Sequence, residues 1–301
     1  MGKANNTLLG HLAAFTCYCI FGFNIVACRN IALSGLVPPL SLFCFRSAGA
    51  ALLFFLLSKF LPEERLEKGD MFKIFCASML GLFLTQITFL VAIKETTPLD
   101  CSVVASLTPI FTMFMSAIFI KEPITWKKVL GVMVSFGGVL YLILNSVAGE
   151  LNVTSSSPVG LFLIVLNALF FASYLGIFRP LIAKYHVVTF MKWMFLFSAL
   201  VSTLLDVREL FSIQYAAFPI SLTLTVLGVV FFSTFVAYLL VSSAQKLLRP
   251  TLVSLYSYVQ PIVAAGLSIY LGMDVLTWQK VCAAIMVFVG VAIVNRSKAK
   301  A

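Results

Sequence analysis

Six polar side chains, Asn24, Gln86, Thr108, Tyr174, Tyr238 and Gln260, stand near the middle of long apolar runs, and a seventh, Arg46, lies about seven residues inside another. In hydrocarbon a polar group is costly unless it meets a second polar group or water. The six neutral groups can hydrogen-bond a small polar molecule, and the guanidinium of Arg46 can hold a carboxylate or phosphate or close an ion pair. No nucleophile and base stand together in these runs, so the pattern points to binding and not to catalysis. Two plainer readings remain open. The six could be hydrogen-bonded glue between helices. Arg46, roughly 10 Å from the end of its run at the helical rise, could reach back to the surface, as Lys192 is expected to do.

Pro109 and Pro261 also fall near the centres of apolar runs. Each removes one helical hydrogen bond and frees the carbonyl four residues earlier, Ala105 or Ser257. A freed carbonyl inside a membrane needs another partner, so such breaks face protein or a watery cavity, and we expect hinges there. Ser102, Ser106, Ser254, Tyr256 and Tyr258 flank the prolines as weaker candidates.

Other chemistries find little footing. Glu95, Asp100, Glu122, Asp206 and Asp274 all sit at the ends of runs, and His11 and His186 lie close to run ends, so a deep proton relay is not expected. No phosphate-binding loop, nucleophile elbow or zinc-protease motif occurs. The seven cysteines (17, 19, 28, 44, 76, 101 and 282) lie in or beside apolar segments without ligand spacing and read as small buried apolar residues. Neither a metal, nor a cofactor, nor an enzymatic activity is expected.

The elements that must position these residues follow from composition. Of 301 residues, 61% are hydrophobic and 11% charged, against roughly 45–50% and about 25% in soluble domains. The chain reads as an all-α integral membrane protein. Ten apolar runs, 10–33, 39–61, 72–93, 98–120, 126–145, 159–182, 187–206, 220–246, 251–272 and 278–295, are each long enough to span a bilayer. The first is far longer than a signal-peptide core and is expected to remain as a span. The net charge of +10 comes from cations between the runs, without the patch that nucleic acid would need. With the N-terminus inside, fifteen Lys and Arg fall on inner segments and three, Lys94, Arg208 and Lys280, on outer ones. Both termini are therefore expected to be cytoplasmic, with the bilayer of the cytoplasmic membrane as the chain's first partner.

The chain repeats itself. A shift of 152 places Ser102 on Ser254, Pro109-Ile110 on Pro261-Ile262, Trp126 on Trp278, Lys128-Val129 on Lys280-Val281 and Gly138-Val139 on Gly290-Val291. Upstream, a shift of 150 puts Gly10 on Gly160, Phe21 on Phe171 and Arg29 on Arg179. Two units, 9–146 and 158–296, each hold five runs. An odd number sends the second copy into the membrane from the other side, making the pair an inverted repeat with two states of similar energy. The superposition pairs Asn24 with Tyr174, Gln86 with Tyr238 and Thr108 with Gln260, at the depth where an inverted-repeat carrier holds its small-molecule substrate.

The segment Leu107-Thr108-Pro109-Ile110-Phe111, then Ile120-Lys121-Glu122-Pro123-Ile124-Thr125-Trp126, Gly131 and Gly137-Gly138, with an echo around Pro261 and Gly290, resembles the EamA domain repeated in the drug/metabolite transporter superfamily. The resemblance covers about residues 9–296. Where that family usually has Gly-Glu after the ninth span, this chain has Met273-Asp274. The resemblance implies a secondary carrier that moves a small metabolite, an amino acid or related compound, and implies export. The alternative from another class is a non-transporting membrane scaffold or receptor subunit.

Overall fold

The computed structural model describes residues 2–62, 64–120, 125–148 and 156–295. The Lys121-Glu122-Pro123-Ile124 part of the motif therefore lies outside the described residues. Counting helical pieces joined by a tight or wide turn as one rod, we number α1 Gly2–Ser34, α2 Pro39–Ser58, α3 Lys68–Ala92, α4 Pro98–Phe119, α5 Trp126–Ala148, α6 Pro158–Ile177, α7 Val187–Ser212, α8 Ile220–Leu247, α9 Pro250–Tyr270 and α10 Trp278–Asn295. A short helix, Arg179–Lys184, links α6 to α7. Among the described residues there is no strand. Eight rods are long and apolar enough to cross a membrane, and shorter apolar helices, Val129–Gly138 and Trp278–Gly290, lie in α5 and α10.

Local chemistry explains where the rods begin and end. Pro39, Pro98, Pro158 and Pro250 occupy first turns, where their missing N–H would have no helical partner anyway. Thr97 and Ser157 cap α4 and α6 by accepting from the amides of Asp100 and Gly160. Gly272 stops α9 with φ +67°, a left-handed conformation that costs glycine little. The outside of the bundle is apolar: Leu52, Leu204, Phe211, Ile220 and Ile262 are all well over half exposed. Such a surface is covered by lipid.

Contacts between rods come in matched sets. The helix α1 packs on α8 and α9, and its repeat counterpart α6 packs on α3 and α4; α2 pairs with α7, and α5 with α10. The contacts of one half thus match those of the other. The α5–α10 pair packs closely, because small residues let its backbones approach. Ser135 donates to the carbonyl of Val287 at 3.0 Å. A Cβ on Gly138 would stand 2.9 Å from the carbonyl oxygen of Ala283, and one on Gly290 would collide with the carbonyl of Gly131 and with Ser135.

Four of the rods are irregular, in two related pairs. The helix α3 widens to a π-turn at Met79–Leu84 and α8 does so at Val229–Val236. In each a threonine spans the wide turn: Thr85 Oγ1 donates to the carbonyl of Leu80 at 2.7 Å, and Thr234 Oγ1 to that of Val229 at 2.9 Å. The second pair breaks at the prolines, after Ala105 in α4 and through a 3-10 turn at Tyr256–Tyr258 in α9. The Ala105 carbonyl that Pro109 cannot bond accepts Thr108 Oγ1 at 2.7 Å.

Replacing Gly290 by Ala is expected to cost about 1–3 kcal/mol, since the obstacle includes backbone that cannot yield. Thermal unfolding in detergent should show a clear fall in Tm. Ala at Gly266, where nothing lies within 4 Å, should leave Tm close to native.

Candidate functional site

Around the breaks lies a cavity of about 70 Å³, walled by α1, α3, α4, α6, α8 and α9. Five of the seven side chains singled out in sequence line it: Asn24, Gln86, Thr108, Tyr238 and Gln260. Aromatic rings supply the apolar wall. Phe21 meets Tyr18, Phe171 and Tyr238 edge to face, with centroids 5.7, 6.4 and 5.9 Å apart.

The polar groups cross between the halves. Gln86 Nε2 donates to the Tyr238 hydroxyl at 2.9 Å, so one residue pair matched by the repeat is also a direct contact. Asn167 Nδ2 donates to the carbonyl of Thr85 at 2.6 Å, beside the first π-turn. Gln86 Oε1 and the Tyr18 hydroxyl are buried without a partner. Both belong to residues of the cavity wall, and unmet hydrogen-bonding capacity there suits a polar ligand.

Arg46 and Tyr174 stand one layer back. Arg46 is fully buried and does not reach the surface, so the snorkelling alternative fails sterically. Its Nε donates to Thr234 Oγ1 at 2.9 Å, and its Nη1 lies 3.6 Å from Cys28 Sγ. Cys28 in turn donates to Asn24 Oδ1 at 3.4 Å, connecting the guanidinium to the cavity wall. Arg46 Nη2 has no partner, and among the described residues Arg46 makes no ion pair. Tyr174 is fully buried against Gly81 and Phe171. Lys192 rests its ammonium 5.6 Å from the Phe55 ring centroid.

Reasoning from symmetric pairs overlooked Asn167, Thr85 and Tyr18. The 150-residue shift places Asn167 on Cys17, and no polar partner flagged it. Its position nine residues into α6 was the available signal. Sequence also missed the ion pairs at the two ends of the bundle. At one end Lys280 Nζ lies 2.7 Å from Asp274 Oδ1, 3.4 Å from Asp100 Oδ2 and 3.3 Å from Thr97 Oγ1. Ser156 donates to Asp100 at 2.6 Å, and Arg29 donates to the carbonyls of Ile93 and Lys94. At the other end Asp70 accepts from Lys184 at 2.6 Å, Lys73 at 2.7 Å and Tyr185 at 2.8 Å. Hydrogen bonds from Lys184 to Asp70, and next to Glu67, push the Lys184 ammonium above the usual lysine range. Each cluster ties the first half to the second. Among the described residues no group of His, Cys, Asp and Glu could hold a metal ion.

Against known proteins, the model of the EamA-like transporter family matches residues 8–144 and 158–296. The chain belongs to the EamA-like transporter family. An uncharacterized transporter of Archaeoglobus fulgidus (strain ATCC 49558 / DSM 4304 / JCM 9628 / NBRC 100126 / VC-16) is 28% identical over 153 residues, 51% of this chain and about half, 52%, of that protein. The uncharacterized transporter YyaM of Bacillus subtilis (strain 168) is 23% identical over 279 residues, 90% of each chain. A crystal structure at 16% identity superposes over 98% of both chains with a TM-score of 0.64, a likeness of fold. This EamA family member is therefore a multi-pass membrane transporter with a two-repeat helical architecture.

Lys280 is nine-tenths buried, and losing it would strand two carboxylates. Lys280→Met is expected to cost about 3–5 kcal/mol. The double variant Lys280→Met/Asp274→Asn should regain part of that loss. Thermal unfolding should therefore rank Tm as native, then double, then single; equal values would mean that the cluster contributes nothing net.

Proposed function

We propose that this protein is a secondary carrier that exports a small metabolite, an amino acid or related compound, across the cytoplasmic membrane by alternating access. The two halves, 9–146 and 158–296, act as inverted five-helix repeats, with ten spans and both termini cytoplasmic. The observation that carries this reading is the cavity between the halves, lined from both by polar residues that the repeat superposes, Gln86 against Tyr238 and Thr108 against Gln260. Inverted-repeat carriers bind near the midplane between repeats, at broken helices, and α3, α4, α8 and α9 are all broken beside this cavity. The fifteen-to-three cation count supports the orientation. Export and the metabolite class rest on the resemblance and on the neutral hydrogen-bonding wall.

In this reading Pro109 and Pro261 are the hinges. The Lys280–Asp274–Asp100 cluster and the Asp70–Lys184 cluster are closures at opposite ends that open in turn. Asn24, Gln86, Thr108, Tyr238 and Gln260 touch the substrate, with Tyr174 supporting the wall. Arg46 holds the substrate's carboxylate from behind Asn24, its free Nη2 turning to the cavity once an anion is present.

Purified protein in liposomes, offered a panel of amino acids and other metabolites, should move at least one down its gradient. Folded protein that moves none would favour a scaffold or receptor subunit. Gln86→Ala and Gln260→Ala should each change substrate affinity or preference while Tm stays near native; the reverse outcome would make them interhelical glue. Arg46→Lys should lose at least about tenfold in transport of a carboxylate substrate, since the planar fork is lost. A reporter fused after Ser297 should read as cytoplasmic, and an external reading would overturn the ten-span scheme.

A further inference from the structure

We propose that a basic pocket at the end of the bundle, separate from the central cavity, binds the phosphate headgroup of an anionic phospholipid. The pocket lies between the end of α2, residues 61–62 and 64–66, the start of α3 and the first turns of α7, and spans about 670 Å³. Lys59, Arg65 and Lys192 all line it. Among the described residues none of the three pairs with a carboxylate. Glu64, the described acid of the wall, turns both its oxygens to the amide of His186, at 2.8 and 3.1 Å. Among the described residues three cations thus line one recess beside a single carboxylate, and none of them is paired with it, whereas the neighbouring Lys73 and Lys184 are paired with Asp70.

The source of the anion follows from the walls. Leu61, Leu66, Met71 and Trp193 make much of the recess apolar. Beside it in the chain, Phe60 and Phe72 are among the most exposed large apolar side chains. A free phosphate has no use for such a surface, while a lipid can set its phosphate among the cations and lay acyl chains along it. Recesses of this kind at a membrane boundary suit anionic headgroups. The pocket joins α2 and α3 of the first half to α7 of the second, so a bound lipid bridges the two. The inference is independent of which substrate the central cavity takes.

The test uses the full-length protein, delipidated in detergent, with binding followed by native mass spectrometry and by Tm. Phosphatidylglycerol should be retained and should raise Tm, and phosphatidylcholine should do neither. The variant Lys59→Ala/Arg65→Ala/Lys192→Ala should weaken phosphatidylglycerol binding at least about tenfold, while Lys246→Ala, outside the pocket, should bind as native. Equal retention of phosphatidylcholine, or unchanged binding by the triple variant, would overturn the proposal. An equal Tm rise with inorganic phosphate alone would also overturn it, by making the recess a soluble-anion site. If the triple variant fails to fold, the comparison of the two lipids on native protein still decides.

Discussion

In a hydrocarbon solvent every backbone N–H and C=O must be satisfied within the protein, and this one requirement organises the whole chain. It forces continuous helices wherever a segment faces lipid. It also makes each interruption costly, so interruptions survive only where other groups take over the freed bonds. That is the pattern here. The wide turns of α3 and α8 are closed by Thr85 and Thr234, and the carbonyl left by Pro109 is closed by Thr108. These three of the four irregular places adjoin the central cavity or the Arg46 layer behind it. Backbone defects and polar side chains gather in the same part of the bundle because each supplies what the other lacks.

The remaining helices carry the opposite burden. The pairs α5–α10 and α2–α7 each join one half to its repeat counterpart, away from the cavity walls. The α5–α10 seam is built from glycine, serine and alanine, where close approach gives dispersion contact that bulkier residues would prevent. The α2–α7 seam uses larger side chains, with Phe54 and Phe195 stacked at 5.4 Å, and hydroxyl pairs such as Ser47 with Ser202 at 3.3 Å. Such self-paired seams can hold two halves together while the crossed pairs around the cavity change, which the proposed carrier cycle requires.

Much of this was legible in the residues, for identifiable reasons. Span positions follow from apolar length, and a fixed-register repeat turns weak matches such as Gln86 on Tyr238 into a shared site. The π-turns were not legible, because their sequences, Met79–Leu84 and Val229–Val236, are as apolar as an ordinary helix. The cluster around Lys280 escaped because Asp100 is far in sequence from Asp274 and Lys280, and all three look like ordinary boundary charges until the helices bring them together. As a charge at the edge of an apolar run, Lys280 carries no sign in the sequence of its burial. Arg46 posed the reverse problem: its depth was readable, but only the packing of α2 on α8 decides that it turns inward onto Thr234.

The contrast between the two buried cation sites bears on what each is for. Lys280 has two carboxylates and a threonine hydroxyl around it, an arrangement in which attraction repays desolvation and the group is satisfied at rest. Arg46 has one hydroxyl, one weak sulfur contact and a free Nη2. A guanidinium sealed from lipid and water with so little compensation is a poor choice for structure alone, since an apolar side chain of similar volume would pack there at less cost. Its arrangement makes sense if its counter-charge arrives and leaves. On the proposed reading the substrate's carboxylate is that counter-charge, and relief of the buried charge is what binding contributes toward shifting the two halves.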